Sequence, residues 1–304
     1  MESVRILAEG FGFAEGPVVM PDGAVVLTDI RNSCLWRVTP DGTKTELART
    51  GGGPNGIALG PDGMLYCCNN GGGFYRPDLF IAIGPAPDYA GGSIQRIDPR
   101  TGEVRTLYTE CNGHKLSAPN DLVFDRQGGF WFTDMGKRHE RHRDHGGLYY
   151  ALPDGSKITE AAYPILSANG VGLSPDERTV YVADTEPARL WAFSIESPGK
   201  LRLDPFPSPS GGHLIAGLPG YQRFDSLAVQ ANGAICVATL VTGCITVIAP
   251  DGRVIRQELM PDSHPTNICF AGPDRQTAYI TLSETGRLGV MDWPDPGLPL
   301  NFGT

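Results

Sequence analysis

The sequence predicts an all-β fold: a six-bladed β-propeller with four-stranded blades, forming a single domain over residues 1–304. Three observations support this prediction: a strand pattern repeated six times, a composition rich in turn residues, and a spare apolar strand near the N-terminus. The chain holds 40 Gly and 26 Pro, and only 19% of its residues are charged. This composition is typical of many short strands joined by tight turns.

Each repeat contains a turn rich in Pro, Asp, Asn and Gly that leads into β-branched and aromatic residues, the local chemistry of a hairpin. The six copies are PDGAVVLTD from Pro21, PDGMLYCCN from Pro61, RQGGFWFTD from Arg126, PDERTVYVAD from Pro175, ANGAICVAT from Ala231 and PDRQTAYIT from Pro273. A further strand follows in each copy, at residues 34–38, 93–97, 148–152, 190–193, 244–248 and 288–291. Four strands in a repeat of about 40 to 65 residues favour propeller blades over a long sandwich or a β-helix.

The sixth repeat lacks a fourth strand, because Pro294 and Pro296 prevent the ladder from continuing. The missing strand is available at the other end of the chain, as the apolar segment at residues 4–8. We expect this segment to pair onto the sixth blade, which closes the ring and removes an open sheet edge.

Charge and cysteine content limit the function classes. The formal net charge is −9 and the acids are spread along the chain, which argues against a nucleic-acid binder, since that would need a basic stripe. No secretory signal and no run of about 18 apolar residues is found, so we expect no membrane contact and a cytoplasmic location. Seven cysteines without C-x-x-C spacing predict reduced, buried thiols, at Cys34, Cys67, Cys68, Cys111, Cys236, Cys244 and Cys269.

One polar position recurs six residues before each of these turns. It is occupied by Glu15, Asn55, Asn120, Asn169, Asp225 and Asn267. Each residue begins the strand that a propeller places nearest its axis, so the six side chains should converge at one end of the central channel. A single Asn or Asp there would be explained by local turn bonding, whereas six oxygen donors in one register predict a site for a hard cation such as Ca²⁺. Glu15 weighs most, because Glu is a poor turn former and a buried unpaired carboxylate is costly.

Four of these segments resemble the senescence marker protein/gluconolactonase family, which includes regucalcin. They are FAEGP at 13–17, PND at 119–121, ANG at 168–170 and FDS at 224–226. The resemblance runs through all six repeats and implies metal-dependent opening of a small lactone ring. It implies that Glu15, Asn169 and Asp225 are the metal ligands, that Asn120 contacts metal or substrate, and that Asp225 is the base or nucleophile. Regucalcin-like members carry an Arg where this chain has Ala118, so the identity of the lactone stays open.

We therefore expect one divalent ion, Ca²⁺ first, with Zn²⁺, Mn²⁺ and Mg²⁺ as alternatives, and a small-molecule lactone as the substrate. Asn55, Asn120, Asp121 and Asn267 are candidates for orienting substrate or completing the coordination shell through waters. Asp121 has the alternative of bonding a neighbouring strand. His264 either faces substrate or is structural. Two rival functions stay open: a phosphotriesterase similar to diisopropyl fluorophosphatase, and a non-catalytic propeller that binds calcium or another ligand.

Two segments fall outside the repeat. His139, His142 and His145 lie among arginines, a context that favours a solvated loop over a metal site. Residues 71–92 form an insertion longer than a hairpin loop, and it is predicted to be a lid, a pocket wall or the contact of a homo-oligomer.

Overall fold

The structure, a computed structural model, describes residues 4–303, and all regular secondary structure in this range consists of strands. In chain order the strands are β1 (Arg5–Glu9), β2 (Ala14–Val19), β3 (Val25–Asp29), β4 (Cys34–Val38), β5 (Lys44–Arg49), β6 (Pro54–Leu59), β7 (Leu65–Asn69), β8 (Gly73–Phe74), β9 (Gly84–Pro85), β10 (Ser93–Ile97), β11 (Val104–Tyr108), β12 (Glu110–Cys111), β13 (His114–Lys115), β14 (Pro119–Phe124), β15 (Phe130–Asp134), β16 (Gly146–Ala151), β17 (Ile158–Ile165), β18 (Ala168–Leu173), β19 (Thr179–Asp184), β20 (Arg189–Ser197), β21 (Lys200–Arg202), β22 (His213–Gly217), β23 (Arg223–Val229), β24 (Ile235–Leu240), β25 (Cys244–Ile248), β26 (Val254–Leu259), β27 (Pro265–Ala271), β28 (Thr277–Leu282) and β29 (Arg287–Asp292).

Six antiparallel sheets form the blades of a propeller, as predicted. Blade 1 holds β2 to β5, blade 2 holds β6, β7, β10 and β11, and blade 3 holds β14 to β17. Blade 4 holds β18 to β22, blade 5 holds β23 to β26, and blade 6 holds β27 to β29 together with β1. Two short hairpins, β8 with β9 and β12 with β13, lie outside the blades.

The N-terminal strand closes the ring. β1 pairs antiparallel with β29, with Arg5 opposite Val290 and Glu9 opposite Arg287. The predicted closure is confirmed, and the last blade thus gains its fourth strand from the other end of the chain.

Blade 4 differs from the predicted four-stranded pattern because its third strand is unusually long. The first half of the nine-residue β20 pairs with β22 and the second half pairs with β21. The outer position of this blade is therefore shared by two short strands.

The innermost strands of neighbouring blades contact one another all the way round, from β2 through β6, β14, β18, β23 and β27 and back to β2. Six apolar clusters fill the spaces between neighbouring blades, one at each interface. Burial of apolar side chains on both faces of each sheet is thus what holds the blades together.

All seven cysteines are buried and unpaired, as the sequence predicts. In the part of the chain that the structure describes, no helix has the length and apolar character needed to span a bilayer.

Candidate active site at one end of the channel

The six recurring polar residues lie at the N-terminal ends of the six innermost strands. They are Glu15, Asn55, Asn120, Asn169, Asp225 and Asn267, and between 2% and 7% of the surface of each is exposed. Because the innermost strands form a closed ring, these ends border one end of the central channel, which we call the mouth. Direct contacts join some of them: Asn267 Nδ2 donates to Glu15 Oε2 at 3.2 Å, and the Ser226 hydroxyl next to Asp225 donates to Asn169 Oδ1 at 3.4 Å.

A backbone irregularity accompanies every one of these residues. In all six blades the pairing between the innermost and second strands shifts register beside the polar position. Such bulges bend a strand and redirect its side chains, and they are common next to active sites. Gly170 allows a second feature, the close approach of β18 to β23, since a β-carbon there would lie 2.8 Å from the carbonyl oxygen of Asp225.

Hydroxyl groups on one blade hold the site strand of the next. Thr28 Oγ1 on blade 1 donates to the carbonyl oxygen of Asn55 at 2.7 Å, and Thr133 on blade 3 donates to that of Asn169. Thr266 on blade 6 donates to the carbonyl oxygen of Ala14 at 3.0 Å, next to Glu15. These bonds fix the relative heights of the residues around the mouth.

Three carboxylates that were not identified from the sequence support the mouth. Asp29, Asp134 and Asp184 end the second strands of blades 1, 3 and 4, and each accepts hydrogen bonds from backbone N–H groups just before an innermost strand. The donors are Gly12 and Phe13 for Asp29, Ser117 and Ala118 for Asp134, and Ser167 for Asp184, at 2.7 to 3.0 Å. The signal was present in the sequence, where three of the six second strands end in Asp.

Three buried carboxylates influence one another at the mouth. Burial raises the pKa of Glu15 well above its usual value, and the charges of Asp225 and Asp121 raise it further. Burial also raises the pKa of Asp121 to about 7, against the opposing hydrogen bond from the Leu122 N–H. The pKa of Asp225 is likewise raised by burial to about 7, although the Asn169 amide and the Arg223 guanidinium oppose the rise. Without a bound cation, ionising all three carboxylates is therefore energetically costly, because they are buried and carry like charges.

The polar groups at the mouth fit a hard divalent cation. Asn55 Oδ1 and Asn120 Oδ1 are buried and accept no hydrogen bond from any residue in the range 4–303. Buried acceptors without partners carry a free-energy penalty, and so do buried carboxylates without a counter-charge. Carboxylate and amide oxygens are the donors that Ca²⁺ and Mg²⁺ take, so one bound cation would offset both penalties.

A family model described as "SMP-30/Gluconolactonase/LRE-like region" matches residues 13–284. The match extends from the segment that carries Glu15 to two residues beyond the end of β28. This chain belongs to that family. The resemblance noted in the sequence is therefore confirmed.

Two curated relatives of the chain are named as lactone hydrolases. The chain is 24% identical to the gluconolactonase of Zymomonas mobilis over 308 residues, covering 92% of this chain and 79% of that protein. It is 30% identical to the lactonase drp35 of Staphylococcus epidermidis over 243 residues, covering 79% of this chain and 67% of that protein.

Solved structures share the propeller. A gluconolactonase from Xanthomonas campestris superposes with a TM-score of 0.76 at 24% identity, covering 96% of this chain and 90% of that one. A calcium-binding regucalcin from Agrobacterium tumefaciens superposes with a TM-score of 0.71 at 18% identity, covering 98% of both chains. At these sequence identities, the structural similarity shows only that the fold is shared.

His264 lies on the rim of the mouth, directly before β27. Its Nδ1 is 2.7 Å from Ser263 Oγ, and Ser263 also bonds to Glu284. Burial lowers the pKa of His264, which keeps the ring neutral at pH 7, while the charges of Glu284 and Asp262 oppose this effect. His264 thus presents a positioned neutral imidazole beside the site, with two acidic neighbours that sequence reasoning did not identify.

The insertion at residues 71–92 packs over the mouth. Its Phe80 ring stacks on Phe13 of blade 1 at 6.3 Å and meets His264 of blade 6 edge-on at 4.8 Å. Towards its end, the Tyr89 hydroxyl donates to the carbonyl oxygen of Ser117 on blade 3 at 2.7 Å. The insertion therefore forms a wall over the candidate site, and its role in an oligomer stays a prediction.

The histidine-rich loop brings only two of its three histidines together. The rings of His139 and His142 stack at 4.2 Å, and His139 Nε2 lies 3.3 Å from Asp144 Oδ2. His145 points elsewhere, with its ring 6.4 Å from that of Tyr163. The three histidines therefore do not converge on a common metal site.

Below the polar ring the channel widens into a cavity of about 270 Å³. Apolar side chains of the innermost strands line it, and Asp121 and Asn267 border its upper part. The C-terminal segment crosses the opposite end, where Asn301 Nδ2 donates to the carbonyl oxygen of Phe124 at 3.1 Å. The opposite end also carries the ion pair of Arg126 with Glu177, whereas the buried carboxylates Glu15, Asp121 and Asp225 lie at the mouth.

Proposed function

We propose that this protein is a lactonase that depends on a divalent metal ion held by Glu15, Asn169 and Asp225. The observation that carries the proposal is the cluster of three buried carboxylates, Glu15, Asp121 and Asp225, at the mouth. Buried like charges become stable at neutral pH when a cation neutralises them. Membership of the gluconolactonase family, with relatives named lactonases, supports a lactone as the substrate class.

Calcium is the ion that the donor set favours. All of the donors proposed are carboxylate or amide oxygens, and the unpartnered Oδ1 atoms of Asn55 and Asn120 are suited to bind the ion or its waters. The structural neighbour from Agrobacterium tumefaciens is described as a calcium-binding protein. When bound, such an ion supplies a Lewis acid that polarises the lactone carbonyl and stabilises the developing oxyanion.

The side chains of this chain then perform the proton transfers. A water molecule adds to the carbonyl carbon, the C–O bond of the ring breaks, and Asp225 takes the proton of the water and returns it to the departing alkoxide. Asn120 and Asp121 are placed to orient the ring, and His264 borders the same space from the rim. Hydrolysis by water alone balances this reaction, with a hydroxy acid as the product.

Chelation is the direct test. Dialysis against EDTA should lower lactone hydrolysis by about 100-fold or more, because a Lewis-acid metal contributes several kcal/mol to transition-state stabilisation, and one of Ca²⁺, Mn²⁺, Zn²⁺ or Mg²⁺ should restore it. Circular dichroism before and after dialysis controls for unfolding. Activity that survives complete removal of metal would refute the metal dependence.

A panel of substrates tests the reaction class. An aldonolactone, an enol-lactone of aromatic catabolism and a phosphotriester are compared on one preparation, with kcat/KM as the readout. Preference for the phosphotriester would replace our proposal with a phosphotriesterase. Metal binding without turnover of any of them would favour a non-catalytic binder.

A further inference from the structure

The insertion covers the mouth on one side. In residues 4–303, its hydrogen bonds and ring contacts go to blades 1, 2, 3 and 6, and none goes to blades 4 or 5. The loops of blades 4 and 5 therefore border the open side, where a substrate would enter. Three charged side chains meet there: Arg143 from the loop after β15, Glu186 from the loop after β19, and Arg223 at the start of β23.

One carboxylate oxygen links the two arginines. Arg143 Nη1 donates to Glu186 Oε1 at 2.9 Å, and Arg223 Nη2 donates to the same oxygen at 2.8 Å. Both guanidinium groups are largely buried, with 17% of each side chain exposed. Arginine stays protonated in proteins, so two positive charges face one negative charge and the group carries a net charge of about +1.

Of the two arginines, Arg223 makes fewer hydrogen bonds. Arg143 Nη2 also donates to the carbonyl oxygens of Met135 at 3.0 Å and Gly136 at 3.4 Å, whereas its Nε has no partner among the described residues. Arg223 makes one hydrogen bond within the described residues, through Nη2, and its Nη1 and Nε have no partner there. Arg223 also stands two residues before Asp225 on β23, and its charge lowers the pKa of both Asp225 and His264.

We infer that Arg223 binds an anionic substituent of the lactone, a carboxylate carried by the ring, at the open side of the mouth. This inference rests on the proposed lactonase function. A guanidinium fork matches a carboxylate with parallel N–H···O bonds, and partial burial strengthens them. With the proposed ion held by Glu15 and Asp225, the inner part of the site is suited to the ring carbonyl, and Arg223 offers a positive charge at the open side. The carboxylate would therefore stay at Arg223 and the ring carbonyl would point inward. Arg143 and Glu186 act as positioning residues.

Two lactones that differ only in charge test the inference. They are 5-oxotetrahydrofuran-2-carboxylate and its carboxamide, and kcat/KM is measured for both at pH 7 with the ion present. The wild-type protein should prefer the carboxylate by about 10- to 100-fold, the range expected for a hydrogen bond to a charged group. In Arg223→Met this ratio should fall to about one, and in Arg223→Lys it should take an intermediate value, because the charge is kept and the fork is lost.

The ratio separates recognition from catalysis. Arg223 also lowers the pKa of Asp225. Because Asp225 would take part in the hydrolysis of both lactones, this effect cancels in the ratio of the two kcat/KM values. Arg256→Met is the matched control, since Arg256 pairs with Asp295 at 3.0 Å on the outer strand of blade 5 and is similarly buried. A wild-type ratio near one, or a preference that survives in Arg223→Met, would overturn the inference.

If neither lactone is hydrolysed, that result counts against the proposed function. A binding measurement then tests the anion site separately. Tetrahydrofuran-2-carboxylate and its carboxamide are then titrated calorimetrically into the wild-type and Arg223→Met proteins. Binding of the carboxylate alone, lost in the variant, would support the anion site on its own. Equal binding of both compounds, or of neither, would refute it.

Discussion

A β-carbon at position 56 would lie 2.3 Å from Oδ1 of Asp121, so Gly56 packs directly against that carboxylate. It would also lie 2.7 Å from the carbonyl oxygen of Asn120. Blades 2 and 3 can approach this closely only without a side chain at Gly56. We expect Gly56→Ala to destabilise the protein by about 1 to 3 kcal/mol through overpacking and to lower kcat/KM by at least tenfold, because Asn120 and Asp121 are displaced. Urea unfolding and lactone kinetics measure the two effects.

Gly84→Ala is the matched control for this substitution. Gly84 lies in the insertion, has no atom within 4 Å of a β-carbon built on it, and does not adopt a positive φ. We expect its stability to stay within about 0.5 kcal/mol of the wild type. If Gly56→Ala behaved in the same way, close packing between β6 and β14 would not be needed for the site.

Asp225→Asn tests the proposed base. We expect kcat to fall by about 10² to 10⁴-fold, the usual contribution of a general base, while the circular dichroism spectrum stays the same. Asp125→Asn is the control, because Asp125 is an equally buried aspartate at the opposite end of β14 that accepts a hydrogen bond from Tyr150. Unchanged kcat in Asp225→Asn would remove this residue from the mechanism.

The raised pKa values predict how the metal-free protein responds to pH. Asp121 and Asp225 have a folded-state pKa of about 7, above the usual aspartate value, and that of Glu15 is raised as well. The folded state therefore binds these protons more tightly than the unfolded state, and the resulting stability is lost as the pH rises towards and through 7. The lowered pKa of His264 acts in the opposite direction below about pH 6.5. Burial also raises the pKa values of Asp125, Asp134 and Asp184, which act in the same direction as the three carboxylates at the mouth.

We therefore expect the melting temperature in EDTA to fall between pH 5.5 and pH 8, and Ca²⁺ to reduce that fall by neutralising the carboxylates. Differential scanning calorimetry at both pH values, with and without Ca²⁺, measures this coupling. A metal-free protein that is more stable at pH 8 than at pH 5.5 would contradict the raised pKa values of the buried carboxylates.

Glu15→Gln should change stability and ion affinity in opposite directions. Removing one of three buried charges should raise the melting temperature of the metal-free protein at pH 8, because the desolvation cost disappears. The same change should weaken Ca²⁺ binding by at least tenfold, because a carboxylate ligand is lost. Calorimetric titration gives the affinity. Glu177→Gln, which alters a glutamate paired with Arg126 at the other end of the channel, should leave the affinity unchanged.

The sequence predicted the blades and the polar ring because both depend on local, repeated patterns. The register of Glu15, Asn55 and their equivalents can be counted from each turn, and the closing strand follows from an unpaired last repeat. What could not be predicted depends on contacts between distant segments. For Asp121, the sequence could not decide between orienting substrate and bonding a neighbouring strand. Its burial depends on the packing of blade 2 against blade 3, which no local pattern reveals.

Two further features could not be predicted from the sequence for the same reason. They are the position of the insertion and the group formed by Arg143, Glu186 and Arg223 at the open side. Phe80 meets His264 across 184 residues of sequence, and Arg143 and Arg223 share a carboxylate that lies between them in the chain. No repeat or spacing relates these residues. The blade geometry alone determines which loops meet at the mouth.

Phe80→Ala tests whether the insertion shapes the site. The Phe80 ring covers His264, and burial is the main cause of the lowered pKa of that histidine. Its removal should raise the pKa of His264 towards the usual value of about 6.5, since the charged imidazole becomes better hydrated. NMR titration of the imidazole Cε1–H signal measures this change. Phe74→Ala is the control, because Phe74 lies in the same insertion with 47% of its surface exposed. A pKa of His264 that moves equally in both variants, or in neither, would show that Phe80 does not form the wall over this residue.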